Sequence, residues 1–190
     1  MQVKGSLLLS VKAYINDQFP NRYSDWLGKL PDASKKLYEG NIQAAEWYDY
    51  RSGLIAPSEL VAELFFHKDE KKAAWELGRF SAEIGLRGIY KVFVFIAKPK
   101  FIIKRASKIM ASFYKPSVLK TETPRKHGVD VTVTDFPEPT EISENRIAGW
   151  MERALEICGA KNVKIDVLES PLKGGEKTVY EINWEKSSAN

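Results

Sequence analysis

The chain is predicted to fold as an α+β protein, with a helical N-terminal region packed on a four-stranded antiparallel sheet in ββαββ order. Three observations predict this. Up to residue 115, apolar residues recur mostly at three- and four-residue spacing, the period of a helix. After Pro116 the period changes to two. Within that second region a single amphipathic stretch, ended by Gly159, separates two strands from two more.

Taken in order, Gln2-Val3-Lys4 has the character of a short edge strand. Leu7, Leu8, Val11 and Ile15 then share one helix face, giving a helix from Ser6 to about Gln18 that Phe19-Pro20-Asn21 breaks. Tyr23, Trp26, Leu27 and Leu30 mark a second helix, stopped by Pro31, and Asp32 to Gly40 a third with glycine as its stop. Asn41 to Gly53 is aromatic and weakly periodic, so it is expected to be extended or irregular. Pro57 suits the first turn of the next helix, where its missing N–H has no intrahelical acceptor to lose. Ala73, Ala74, Leu77, Phe80, Ala82 and Ile84 predict a helix from Asp69 to about Arg87, weakened or ended by Gly85 and Gly88; its small residues permit close approach of another helix. Ile89 to Ile96 is β-branched and aromatic, and is assigned as helical because a lone strand there would lack a partner. Pro99 starts a basic helix running to Tyr114, with Ile102, Ala106, Ile109, Met110 and Phe113 facing inward.

In the last third, Val118 to Thr123 and Val129 to Val133 form a hairpin turned at Pro124 to Gly128. Ile147, Trp150, Met151, Ala154, Leu155 and Cys158 define the helix, and Val163 to Val167 and Tyr180 to Trp184 the last two strands around Gly174-Gly175. The expected organisation is one domain over residues 1–190: a helical region over 1–115, a ββαββ region over 116–185 and a disordered tail over 186–190.

Charge and composition narrow function further. The net charge is +4, yet residues 87–126 carry eleven Lys/Arg against the single acid Glu122. Lys100, Lys104 and Lys108 recur every fourth residue with Arg105 beside them, a candidate docking face for an acidic protein or an anionic membrane surface. Interleaved aromatics and a helix-turn-helix pattern are absent from that stretch, which argues against nucleic acid. One cysteine excludes an internal disulfide, and no apolar run approaches the roughly 20 residues of a membrane span, so a cytoplasmic location is expected. No nucleophile elbow, phosphate loop or metal-spaced cluster is present, and an enzyme is not expected.

The order of elements resembles one superfamily. The residues that carry the resemblance are Gly128-Val129-Asp130-Val131, the helix Asn145 to Cys158, Gly159-Ala160 and Glu181-Ile182-Asn183-Trp184. The superfamily includes the H-NOX haem sensors, the 4-vinyl-reductase-type small-molecule-binding domains and the TRAPP vesicle-tethering subunits, together with bacterial families of the same layout. The resemblance implies one of three roles: haem binding, binding of another apolar small molecule, or protein–protein assembly.

H-NOX haem binding would imply an axial His and a Tyr-x-Ser-x-Arg motif on the first hairpin strand. The matching stretch is Thr121-Glu122-Thr123-Pro124-Arg125, in which Arg125 matches, Thr123 replaces Ser and the Tyr is absent. His67 lies in a charged helix end and His127 in the hairpin turn. The expectation from sequence is therefore no cofactor, with haem disfavoured. The leading reading is a non-catalytic domain for an apolar or amphipathic small molecule, coupled to contacts with another protein or a second copy. Its expected pocket is lined by Trp75, Phe80, Tyr90, Phe93 and Phe95, with Arg79 or Arg87 anchoring a carboxylate. The alternatives are a ligand-free interaction or dimerisation module and, less favoured, a haem-based gas sensor.

Overall fold

The computed structural model describes residues 1–88 and 99–185. The chain opens with strand β1 (Gln2–Lys4) and helices α1 (Gly5–Gln18), α2 (Tyr23–Lys29) and α3 (Asp32–Glu39). Strand β2 (Trp47–Asp49) leads through a π-helical turn (Arg51–Ile55) into α4 (Ala56–Phe65), and α5 (Glu70–Gly88) follows. Helices α6 (Pro99–Ile103) and α7 (Ala106–Phe113) precede β3 (Tyr114–Lys115), β4 (Val118–Arg125) and β5 (Gly128–Thr134). Helix α8 (Glu141–Ile157) separates these from β6 (Lys161–Glu169) and β7 (Thr178–Glu185).

The predicted ββαββ region is present as a four-stranded antiparallel sheet in the order β4-β5-β7-β6. Its period-two pattern does what the pleat requires: Val129, Val131 and Val133 of β5 point into the core with Tyr180 and Ile182 of β7, all no more than 4% exposed. The pairs Val131 with Tyr180 and Val129 with Ile182 set the register. Proline-rich sequence ahead of α8 ends in Thr140, whose Oγ1 accepts from the Ser143 N–H at 3.1 Å while Ser143 Oγ accepts from the Thr140 N–H at 2.9 Å. That reciprocal cap starts α8 at Glu141, four residues before the Asn145 at which the segment carrying the resemblance begins.

Five local readings are corrected. Gln2–Lys4 is not an edge strand but the centre of a second, three-stranded sheet ordered β2-β1-β3. Tyr114–Lys115 supplies its third strand, so the helix predicted to reach Tyr114 stops at Phe113. The extended reading of Asn41 to Gly53 holds as far as Asp49, beyond which the chain is π-helical and runs into α4. The basic helix is two helices separated by a turn at Lys104–Arg105, with Ile102–Ile103 and Met110 buried on either side of it. The stretch Ile89 to Ile96 lies outside the described residues. Pro124 sits within β4 rather than the turn, on an edge strand with an irregular register between Glu122 and Arg125, where its missing donor is tolerated.

The tightest packing joins α5 to α8. A Cβ at Gly78 would stand 2.1 Å from the Arg146 carbonyl oxygen, and one at Gly149 would stand 2.2 Å from the Trp75 carbonyl oxygen. Both obstacles are backbone, so neither moves without separating the helices. The predicted small-residue approach is thus realised, through two glycines rather than through the alanines alone. Gly78→Ala and Gly149→Ala are each expected to destabilise the fold by at least about 1–3 kcal/mol in denaturant unfolding. Gly28→Ala, whose Cβ meets open space in α2, is expected to be neutral or mildly stabilising. Equal effects at all three positions would show that the crossing is not close-packed.

Candidate functional site

The crossing of α5 and α8 leaves an apolar cavity of about 60 Å³ between these helices, α6–α7 and the inner face of the sheet. The floor is Leu119, Val129, Val131 and Ile182 of the sheet, and the cover is Ile102, Ile109, Met110 and Phe113. Trp150 and Ile147 of α8 and Gly78 of α5 complete the wall. A second cleft of about 170 Å³ shares Ile102, Ile109, Phe113 and Trp150 with it and extends past Leu86, Phe101 and Arg105.

Among the described residues one charged side chain lines the cavity, that of Arg146, and it is 2% exposed. Its Nη2 donates to Ser10 Oγ at 2.8 Å and more weakly to the Leu7 carbonyl at 3.4 Å. Its Nε and Nη1 have no hydrogen-bond partner among the described residues. Burial pushes its pKa down, and the groups that act back on its charge are the phenols of Tyr114 and Tyr38, not a carboxylate. A guanidinium remains charged through the accessible pH range, so this is a buried cation without a counter-charge among the described residues. Tyr114, itself a cavity residue, has its phenol raised by burial with Arg146 pulling the other way.

The residues singled out from sequence fall elsewhere. Trp75, Arg79 and Phe80 of α5 do not line this cavity. Trp75 Nε1 donates to Glu152 Oε2 at 2.8 Å. Arg79 pairs with Glu152 and, at 3.0 Å, with Glu156, so its charge is already met. Phe80 packs edge-on against Tyr14, with ring centroids 5.2 Å apart. Tyr90, Phe93, Phe95 and the side chain of Arg87 lie outside the described residues. Lys100, Lys104, Arg105 and Lys108 are all exposed, but the break between α6 and α7 divides them between two helices, and Arg105 lies over the Phe101 ring at 3.6 Å.

Arg125 is on the outer face of the sheet, held by Asp130, by Glu181 at 3.3 Å and by Asn183 at 2.9 Å. Neither His67 nor His127 lines the cavity. Among the described residues no cluster of three metal-ligating side chains occurs, and no helix is long and apolar enough to cross a membrane. Sequence reasoning missed Arg146. The available signal was a charge four residues from both Ile142 and Trp150, hence in line with apolar positions of α8.

No protein-family model matches the chain, and no curated protein matches it. Solved structures do. The chain superposes on an H-NOX protein of S. oneidensis with a TM-score of 0.76 at 12% identity, over 97% of each chain. It superposes on the Fe(II) unliganded H-NOX protein of K. algicida with a TM-score of 0.71 at 9% identity, covering 98% of this chain and 99% of that one. The chain has the H-NOX fold. The resemblance read from Gly128-Val129-Asp130-Val131 and the α8 segment is therefore correct at the level of fold. The same finding overturns the reading of a non-haem apolar or amphipathic ligand and the expectation of no cofactor. The structures sharing this H-NOX fold are described in Fe(II) and Fe(II)NO states and in a study of heme distortion.

Two titrations check the site's surroundings. Burial pushes the Cys158 thiol up to about 11. At pH 8 the native protein is expected to leave this thiol unreacted with an aromatic disulfide reagent, and denaturant to release one equivalent; native reaction at the denatured rate would contradict its burial. Burial alone would raise Glu156, but Arg79 and Arg153 outweigh it and hold the carboxyl below its ordinary value. A depressed carboxyl contributes stability that is complete above its unfolded pKa of about 4.3 and is lost as pH falls through the folded value. Glu156→Gln is expected to flatten the acid limb of the stability–pH curve while leaving the slope near pH 7 unchanged; an unaltered acid limb would show that the cluster contributes nothing.

Proposed function

We propose that this chain is a haem-binding sensory domain of H-NOX type, with the cavity between α5, α7, α8 and the sheet as the haem site. The observation that carries the reading is coincidence of fold with haem H-NOX structures over nearly the whole chain, joined to an apolar cavity at its centre. The lining suits a haem in its walls, which are aliphatic and aromatic, as a macrocycle requires.

Haem would supply an iron centre able to bind a diatomic gas. The residues of this chain would hold and shield it: Ile102, Ile109, Leu119 and Val129, which line the cavity, would exclude water from it. Tyr114, Met110 and Met151 are lining side chains whose donor atoms are of a type that ligates haem iron. The chain departs from the His-ligated pattern here, since both histidines lie outside the described cavity lining.

At about 60 Å³ the cavity takes a macrocycle only if its cover moves outward. The cover is suited to that: among the described residues, the side-chain hydrogen bonds of α6 and α7 are local, Arg105 to the Phe101 carbonyl and Ser112 to the Ile109 carbonyl. Titration of the full chain with haemin, then with dithionite, is expected to give a saturable one-to-one Soret band that shifts on reduction. Unsaturable absorbance with no shift in melting temperature would overturn the reading.

A further inference from the structure

We infer that β6 (Lys161–Glu169) is the interface of a two-fold dimer, in which it pairs antiparallel with β6 of a second copy about Ile165 and joins two four-stranded sheets into one. The inference is independent of the haem reading. β6 is an edge strand of nine residues, and among the described residues only β7 pairs with it. Its free edge presents a row of backbone donors and acceptors, a template for another strand. The opposite edge of the sheet, β4, is interrupted by Pro124 and an irregular register.

The sequence of β6 is complementary to its own reverse. Outward from Ile165, Lys164 is matched by Asp166, Val163 by Val167 and Lys161 by Glu169. Antiparallel pairing about Ile165 therefore sets each lysine opposite an acid of the second copy and each valine opposite a valine, the isologous pattern of a two-fold axis. Moving the axis one residue either way sets Lys164 against itself or Asp166 against itself, so the charges select one register.

The inner pair lies in the regular part of the strand, where Lys164 stands opposite Asn183 and Asp166 opposite Glu181. Asp166 thus faces a like charge on its paired side, and a lysine on its free side offsets it. A lysine alone on an edge strand guards against pairing. With Asp166 two residues on, the same lysine repels other edges and fits a second copy. Lys164 and Asp166 are exposed, while Val163, Ile165 and Val167 are half-buried against the core. Leu168, 63% exposed, and Leu172, 48% exposed in the turn that follows, add apolar surface beside the edge for a second copy to cover.

Sedimentation velocity of the full chain over a range of concentrations is expected to show a monomer–dimer equilibrium. Lys164→Glu and Asp166→Lys, each placing like charges at both symmetry-related pairs, are expected to weaken dimerisation about tenfold or more. The two together restore opposite charges and are expected to restore the dimer, while Lys120→Glu on β4 leaves it unchanged. A strict monomer up to about 500 μM overturns the inference. So does a dimer that neither single reversal weakens, or a folded double variant that stays monomeric. Should a variant fail to fold, hydrogen exchange of the unmodified chain decides: alternate amides of β6 are expected to gain protection as concentration rises, and protection gained elsewhere but not in β6 would place the interface on another face.

Discussion

The contact on which the rest depends is the crossing of α5 and α8, where the backbone at Gly78 lies against the Arg146 carbonyl and the backbone at Gly149 against that of Trp75. Any side chain at either glycine would open the crossing. Its closeness brings the polar edges of the two helices within reach of each other, so that Trp75, Arg79, Glu152 and Glu156 close into one hydrogen-bonded group. It also places Arg146 where its side chain leaves the helix toward α1 and the cavity rather than toward solvent.

The cavity lies between the α5–α8 crossing and the inner face of the sheet, where α6–α7 contribute branched and aromatic side chains to its wall. The break at Lys104–Arg105 divides the basic stretch into two helices, and Ile102 and Met110 are buried on either side of it. The floor is rigid, tied by β-ladders on both sides of β5, whereas the cover rests on apolar packing. The result is an apolar space with one wall tied by strand pairing and one held by apolar packing.

Much of the fold was legible in the residues. The helices before Gly88 and the ββαββ order each have a local cause: a face at helical spacing, a proline or glycine stop, or a period of two against one core. The departures are where a local signal met a non-local partner. Gln2–Lys4 became a central strand because Trp47–Asp49 and Tyr114–Lys115 flank it from far along the chain. The candidate site was less legible. Aromatic content points to pocket walls, yet Trp75 and Phe80 serve packing and a hydrogen bond to Glu152, and Arg79 is neutralised by glutamates far along the chain on α8.

By itself, then, the sequence determined the class of fold, most element boundaries and the location of the positive charge, because these depend on neighbours within a few residues. Which arginine is satisfied and which is not was decided by tertiary structure alone. Arg125 and Arg146 are alike in sequence, each a cation in a mixed stretch. Strand pairing gives the first its acids, and the glycine-mediated crossing carries the second into the interior without one.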